Sequence, residues 1–229
     1  KQLTADFVAG DARRTWSGNG GTSITYAIDQ VDAIPFSAMV DPVNWPMTAG
    51  ESNAAIIAGM NTWDAVSCSN LGLTQVSDFG LDLGVAAFQN GLGGSPFVVA
   101  DIQHAGFTDI NFSGGVLAAT ITFVFINGGV PTDIDGNGKN DAAFREIYYD
   151  PSWIWTVGAF AGIDVESIAV HEAGHGLSQA HFGKVWVTNN GVLKASPRAV
   201  MNALYADEYR TLAGTDNGGH CSIWANWPG

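Results

Sequence analysis

The sequence predicts an α+β fold in a single domain that spans residues 1–229. Five segments show the alternating, β-branched pattern of strands, and three others show the apolar spacing or composition of helices. Hydrophobic residues make up 46% of the chain and there are eight tryptophans, which is enough material for a sizeable core. No stretch between the two ends has the composition of a linker, so we expect one domain.

The predicted strands are separated by helices and by turn-rich segments. They are placed at residues 22–28, 71–76, 97–103, 114–125 and 144–150. The fourth is the most strand-like, because it is rich in Val, Ile, Thr and Phe. We expect a glycine-rich surface loop over residues 80–94 and a hairpin over residues 185–193, around an Asn-Asn-Gly turn.

Three helices are expected, and two of them have a recognisable start. The first should follow Ser52 or Asn53, either of which is a good N-cap, and run to about residue 67. Asp164 should cap the second helix, and the third is expected over about residues 215–227.

The chain is strongly acidic, with 22 Asp and Glu against 9 Lys and Arg. Binding to nucleic acid or to an anionic membrane needs a basic face, so we expect neither as a partner. The excess of carboxylates leaves ligands available for calcium. No segment reaches the roughly 18–20 apolar residues that a transmembrane helix needs. No signal peptide opens the sequence at Lys1, which fits either cytosolic residence or a chain that begins after processing.

Two cysteines, Cys68 and Cys221, lie far apart in the sequence and outside any CxxC pattern. This arrangement favours a single long-range disulfide over a metal-binding role. Two free buried thiols are the alternative.

The most informative stretch runs from His171 to His181 and holds three of the five histidines. Residues four apart share a helix face, so His171 and His175 can offer two imidazole nitrogens to one metal ion. Glu172 lies about a quarter turn aside, where its carboxylate can reach a metal-bound water without binding the metal. His181 can join only if the helix ends near Ser178 and the chain bends back. The pattern is typical of a hydrolytic zinc site with its own base.

A second pattern, from Asp133 to Asp141, matches the first nine positions of an EF-hand calcium loop. Phe144 stands where the loop should have a bidentate glutamate, and no flanking helices are evident. An acidic hairpin turn is therefore the alternative. If calcium binds, we expect a structural ion held by the carbonyl of Lys139 and by the side chains of Asp133, Asp135, Asn137 and Asp141.

The remaining histidines are interpreted as structural residues. His104 should lie in the loop before the fourth predicted strand, beside an Ala-Gly pair, and His220 has no partner at the spacing of metal ligands.

The stretch from residue 171 to 181 resembles the long motif of the metzincin metallopeptidases, HExxHxxGxxH. His171, Glu172, His175 and His181 fall on its positions, whereas Ser178 replaces the motif glycine that permits a left-handed turn. A serine in that conformation costs about 1–2 kcal/mol. The resemblance implies three histidine ligands for zinc, a glutamate as general base, and a twisted, mainly parallel mixed sheet of five strands with three main helices.

The matrixin-like branch of this clan is the most similar, over most of the chain from about Thr22. It implies an N-terminal subdomain over about residues 1–181 and a C-terminal subdomain over about residues 182–229. Met201, twenty residues after His181, falls where these enzymes place a methionine-bearing turn beneath the zinc. Tyr205 resembles the wall of their specificity pocket.

From this resemblance we expect a secreted, monomeric zinc endopeptidase whose partner is a polypeptide substrate. Glu172 would take a proton from the attacking water and pass it to the leaving amine. The substrate would add an extended strand to the sheet edge within residues 114–125.

Two other functions remain open at the level of sequence. The chain could be a non-catalytic, calcium-stabilised binding module with a structural zinc closed by four ligands. It could also be a zinc hydrolase of non-peptide amides, since the same nucleophile serves there.

Overall fold

The computed structural model describes residues 1–16, 21–158 and 162–228 of the chain. In chain order the strands are β1 (Ala5–Asp6), β2 (Thr25–Ile28), β3 (Thr74–Gln75), β4 (Ile102–His104), β5 (Ala118–Val124), β6 (Ile126–Asn127), β7 (Val130–Pro131), β8 (Asn140–Tyr149), β9 (Trp155–Thr156), β10 (Ile163–Asp164), β11 (Lys184–Val187) and β12 (Leu193–Ser196). The helices are α1 (Phe36–Val40), α2 (Ala49–Asp64), α3 (Val85–Gln89), α4 (Val165–Gly176) and α5 (Gly214–Trp224).

The main sheet is built around β8. Its order is β1-β8-β4-β2-β3, with every one of these pairings parallel, and β5 pairs antiparallel with β8. Residues 145–147 of β8 pair with both β4 and β5, so these two strands flank β8 on opposite sides. The α+β class and the mainly parallel sheet are confirmed. The predicted number of strands was wrong, because the short β1 within the polar N-terminal stretch adds a sixth.

Side chains alternate across β8 and thereby separate two parts of the core. Ile147 and Tyr149 pack in the larger cluster together with residues of α2, α4 and α5. Tyr148 packs on the opposite face in a second cluster that includes Leu83 and Ala87. The stretch from His171 to His181 lies on the side of the larger cluster, to which Ala173 and Leu177 belong.

Residues 80–94 were predicted as a surface loop, and that prediction was wrong. The segment contains α3, and its residues Leu83 and Val85 are buried. The backbone N–H groups of Val85 and Ala86 donate to the carboxylate of Glu146 at 2.6 and 2.9 Å. A glutamate some sixty residues away thus caps this short helix, which local periodicity could not reveal.

The start of α2 also differs from the prediction. Its N-cap is Thr48, whose hydroxyl accepts a hydrogen bond from the backbone of Glu51, while the Glu51 side chain accepts one from the backbone of Thr48. This capping box makes the helix begin four residues before Asn53. The motif is visible in the sequence as Thr-Ala-Gly-Glu, but Ser52 and Asn53 were preferred as caps.

Helices α2 and α4 pack closely, and this contact fixes the position of the helix that carries the motif. A Cβ atom at Gly59 would lie 3.0 Å from the backbone nitrogen of Val170, so the two backbones approach each other where α2 has a glycine. One turn further on, the indole Nε1 of Trp63 donates to the carbonyl oxygen of Val170 at 2.7 Å. Both contacts are made to Val170, the residue that precedes His171.

Several predicted boundaries shift by a few residues. Strand β8 begins at Asn140 rather than at residue 144, and α5 ends at Trp224 rather than at residue 227. The hairpin of β11 and β12 lies over residues 184–196 and keeps the predicted turn. His104 lies on β4 and is fully buried, so its predicted loop position was wrong.

Cys68 and Cys221 form a disulfide that joins the end of α2 to α5 across 153 residues, as predicted. None of the described helices is long and apolar enough to cross a membrane.

Candidate active site

Helix α4 starts at a well-stabilised N-terminus. Asp164 is its N-cap, as predicted, and its side chain accepts a hydrogen bond from the backbone nitrogen of Ser167 at 3.0 Å. The guanidinium of Arg210 binds the other carboxylate oxygen of Asp164 at 2.7 Å. The helix ends at Gly176, so the expected break near Ser178 is confirmed.

The three histidines of the motif converge on one point. Nε2 of His181 lies 2.9 Å from Nε2 of His171 and 3.0 Å from Nε2 of His175. This spacing brings three nitrogen donors together at positions that could hold a metal ion. The site therefore contains all three histidines that the sequence singled out.

The tautomers of the two helical histidines follow from their backbone partners. Nδ1 of His171 lies 2.6 Å from the carbonyl oxygen of Val200, and Nδ1 of His175 lies 2.7 Å from that of Gln179. A carbonyl oxygen only accepts, so each Nδ1 carries the proton and each Nε2 is left with its lone pair. Burial lowers the pKa of both rings to about 4, which keeps them neutral and able to bind a metal at neutral pH.

The carboxylate of Glu172 lies beside this cluster and is only 4% exposed. Its Oε2 accepts a hydrogen bond from the hydroxyl of Thr120 on β5 at 2.6 Å. Burial raises the pKa of Glu172, although the nearby His175 and the hydrogen bond from Thr120 act in the opposite direction. A buried carboxylate next to a possible metal position is placed to accept a proton.

Met201 packs against α4 and is fully buried. A Cβ atom at Gly174 of α4 would overlap its Sδ, so the methionine packs directly against the helix between the two histidines. The backbone N–H groups of Val200 and Met201 both donate to the carboxylate of Asp216 at 3.0 Å. Asp216 was not predicted, because an aspartate in the first turn of α5 suggests only a helix terminus.

A cleft of about 690 Å³ runs past the three histidines and Glu172. One wall comes from residues 115–120 and Thr122, which belong to β5 and the segment before it. Tyr205 also lines the cleft, and its hydroxyl accepts a hydrogen bond from the backbone nitrogen of Asp164. No other strand of the described residues pairs with β5 on the side away from β8, so β5 forms an edge of the sheet.

The acidic segment of residues 133–141 follows β7 and ends in the first two residues of β8. Carboxylate oxygens of Asp133, Asp135 and Asp141 lie within 4.8 Å of one another, and this group could hold a metal ion. The side chain of Asn137 instead donates to Asp135 at 3.0 Å, and Nζ of Lys139 binds Asp6 at 2.9 Å.

Two residues near this loop were not predicted to take part in it. Arg13 binds Asp141 at 2.8 Å, and Asp6 contacts both Asn137 and Lys139. Both lie more than a hundred residues away in the sequence, so nothing in the loop itself could identify them.

His104 and His220 lie outside the histidine cluster, as expected. Nδ1 of His104 lies 3.0 Å from the hydroxyl of Tyr149, and Nε2 of His220 lies 2.7 Å from the hydroxyl of Ser69.

No model of a known protein family matches this chain, and no curated protein matches it.

Proposed function

We propose that this protein is a zinc-dependent endopeptidase of the metzincin type, nearest to the matrixin-like branch. The observation that carries the proposal is the convergence of His171, His175 and His181 beside the buried carboxylate of Glu172. The cluster opens into a cleft bordered by the free edge of β5.

The donor set fits zinc. Three neutral imidazoles suit zinc among the common biological cations, and catalytic zinc sites use three protein ligands. Two of the rings are held by backbone carbonyls through Nδ1, which is the outer hydrogen bond expected of metal-bound histidines. Zinc bound here would lower the pKa of a water molecule toward about 7 and polarise a substrate carbonyl.

Glu172 is the proposed general base. It follows His171 directly on α4, and its carboxylate is held toward the cleft by Thr120. It accepts a proton from the attacking water and then donates that proton to the leaving amine. The raised pKa of this buried carboxyl makes its carboxylate a stronger base toward the attacking water.

The substrate is proposed to be a polypeptide that binds in an extended conformation. Main-chain groups on the free edge of β5 would pair with the substrate backbone and give affinity without regard to sequence. Apolar and aromatic residues near Tyr205, including Ile168, Val200 and Tyr209, would then accommodate one substrate side chain.

We further propose that the protein acts as a secreted monomer. The disulfide between Cys68 and Cys221 is of a kind that persists in oxidising compartments.

Replacing Glu172 with alanine tests the proposal. Glu172→Ala should still bind one zinc ion per chain but lose hydrolysis of a casein substrate by about 10²–10⁴-fold, the range for a general acid–base residue. The matched control is Glu166→Ala on the same helix, which removes a carboxylate outside the cleft and should leave activity nearly unchanged. Full activity of Glu172→Ala would exclude this base. Tight zinc binding by the wild type without hydrolysis would favour the non-catalytic binding module.

We also propose that calcium binds the loop of residues 133–141 as a structural ion. Calcium, but not magnesium, should raise the midpoint of thermal unfolding of the wild type. Asp135→Asn should abolish this increase, whereas Glu208→Gln, which changes an exposed carboxylate elsewhere, should preserve it. An unchanged response in Asp135→Asn would contradict the proposal.

A further inference from the structure

The turn that leads from His175 to His181 contains a non-glycine residue in a left-handed conformation. Ser178 has a φ of +67° and is fully buried. L-residues with a side chain adopt this conformation at a cost, so contacts from elsewhere in the fold must stabilise it.

The side chain of Arg145 reaches this turn from below. Arg145 lies on β8 and is fully buried. Its Nη1 donates to the carbonyl oxygen of Gly176 at 2.5 Å and to Oγ of Ser178 at 3.0 Å. The guanidinium therefore binds the last residue of α4 and the residue with the left-handed conformation at the same time.

The other donors of Arg145 fix the guanidinium itself. Nη2 donates to the carbonyl oxygen of Ala5 at 2.8 Å, and Nε donates to the hydroxyl of Thr122 at 3.1 Å. Among the described residues Arg145 forms no ion pair, so its partners are all neutral oxygens. A cation in this position also complements the negative end of the helix dipole of α4.

The outer side of the turn is held by the N-terminal segment. The backbone nitrogen of Leu3 donates to the carbonyl oxygen of Ser178 at 2.8 Å, and that of Ala180 donates to the carbonyl oxygen of Lys1 at 2.9 Å. These backbone bonds would form with any residue at position 178. Only the bond from Arg145 to Oγ requires a hydroxyl there.

We propose that Arg145 and Ser178 form a positioning pair that orients His181 toward the other two histidines. The hydroxyl of Ser178, held by Arg145, stabilises a turn that would otherwise require glycine. This inference rests on the proposed zinc site, and it assigns to Arg145 an indirect role, since its side chain contacts none of the three histidines.

The test compares Ser178→Ala with Ser178→Gly. The alanine variant keeps the strained conformation and loses the hydroxyl, so its zinc affinity, measured by competition with a chromophoric chelator, should fall by at least about tenfold. The glycine variant also loses the hydroxyl but adopts the conformation freely, so its affinity should stay within about threefold of the wild type. Ser77→Ala, at an exposed serine after β3 whose hydroxyl accepts a hydrogen bond from the backbone of Phe79, is the matched control and should bind zinc like the wild type.

The visible absorption of the cobalt-substituted protein reports the coordination of the metal directly. At saturating cobalt, Ser178→Ala should show an altered band because His181 is displaced, whereas Ser178→Gly should show the wild-type band. A purely structural role of the hydroxyl would lower the unfolding midpoint of the metal-free protein and leave both the affinity and the band unchanged.

The two proposals fail in different ways. A wild-type chain that binds no zinc would overturn the proposed function together with this inference. Tight zinc binding by the wild type, combined with equal affinity and an equal cobalt spectrum in Ser178→Ala, would overturn only the positioning pair. A double-mutant cycle adds a further test: Arg145→Lys is made in the wild-type and Ser178→Gly backgrounds, and zinc affinity is measured for all four proteins. A coupling energy of zero between the two positions would also contradict the proposed positioning pair.

Discussion

The hydroxyl of Thr120 donates a hydrogen bond of 2.6 Å to Oε2 of Glu172. The same hydroxyl lies 3.2 Å from the backbone carbonyl oxygen of Glu172, so it links the edge strand β5 to the helix α4. The strand proposed to bind the substrate thereby also holds the proposed general base.

Replacing Thr120 with valine should impair hydrolysis without affecting zinc binding. Valine has nearly the same shape but cannot donate, so the buried carboxylate loses a charge-assisted hydrogen bond and its fixed orientation. We expect kcat to fall by about 10- to 100-fold, since such a bond contributes about 1.5–3 kcal/mol. Thr120→Ser keeps the hydroxyl and should restore most of the activity. Unchanged kcat in Thr120→Val would show that Glu172 is oriented by other contacts.

Gly174→Ala should destabilise the protein although alanine is the better helix former. The added Cβ would overlap Sδ of Met201 and lie 2.9 Å from Cζ2 of Trp63 in a well-packed core. Overpacking of this kind costs about 1–3 kcal/mol, which should appear as a lower free energy of unfolding in urea. Gly218→Ala on α5 is the control, because its Cβ would meet nothing within 4 Å and should stabilise by about 0.5–1 kcal/mol. Equal effects of the two substitutions would contradict the close packing of Met201 on α4.

Removal of the disulfide should lower stability strongly. Cys68 and Cys221 are 153 residues apart, and a crosslink over a loop of this length removes enough unfolded-state entropy to contribute about 5 kcal/mol. The double variant Cys68→Ser/Cys221→Ser should therefore unfold at a lower urea concentration. The wild type in reducing agent should approach the behaviour of this variant, and a wild type insensitive to reduction would contradict the prediction.

Acid should destabilise the metal-free protein in part through His104. Burial lowers the pKa of His104 in the folded state to about 3, whereas the unfolded chain has the ordinary value of about 6.5. Between these two values the unfolded state binds the proton and the folded state does not, so stability rises with pH across this window and falls as the solution is acidified.

The contribution of His104 can be isolated from the slope of the unfolding free energy against pH. In His104→Gln the decrease in unfolding free energy between about pH 6 and pH 4 should be smaller, by up to about 1.4 kcal/mol per pH unit. The slope is compared rather than the absolute stability, because the substitution also changes core packing. Identical slopes for variant and wild type would show that His104 is protonated in the folded state.

Much of the histidine site could be predicted because helical geometry is local. The spacing of His171 and His175 places both on one face of α4, and Asp164 marks the start of that helix in the sequence. The third histidine required a helix break near Ser178, and the helix ends at Gly176, two residues earlier. Five of the six strands of the sheet were found for the same reason, although their ends differ from the predicted ones and the short β1 was missed.

The parts that could not be predicted depend on residues distant in the sequence. Glu146 caps α3, Asp216 holds the backbone before Met201, Thr120 holds Glu172, and Arg145 binds the turn at Ser178. Each of these polar side chains looks unremarkable in its own segment. Each of these side chains acquires its role only in the folded protein, where the packed sheet and helices bring it to a backbone group or a side chain that has no local partner.

The sequence by itself determined the α+β class, the helical histidine pair with its adjacent glutamate, and the need for a bend before His181. These features follow from backbone periodicity over a few residues. Only the tertiary structure decided how that bend is made. A serine can occupy the left-handed position because a buried arginine on the central strand donates to its hydroxyl, and that contact spans 33 residues of sequence.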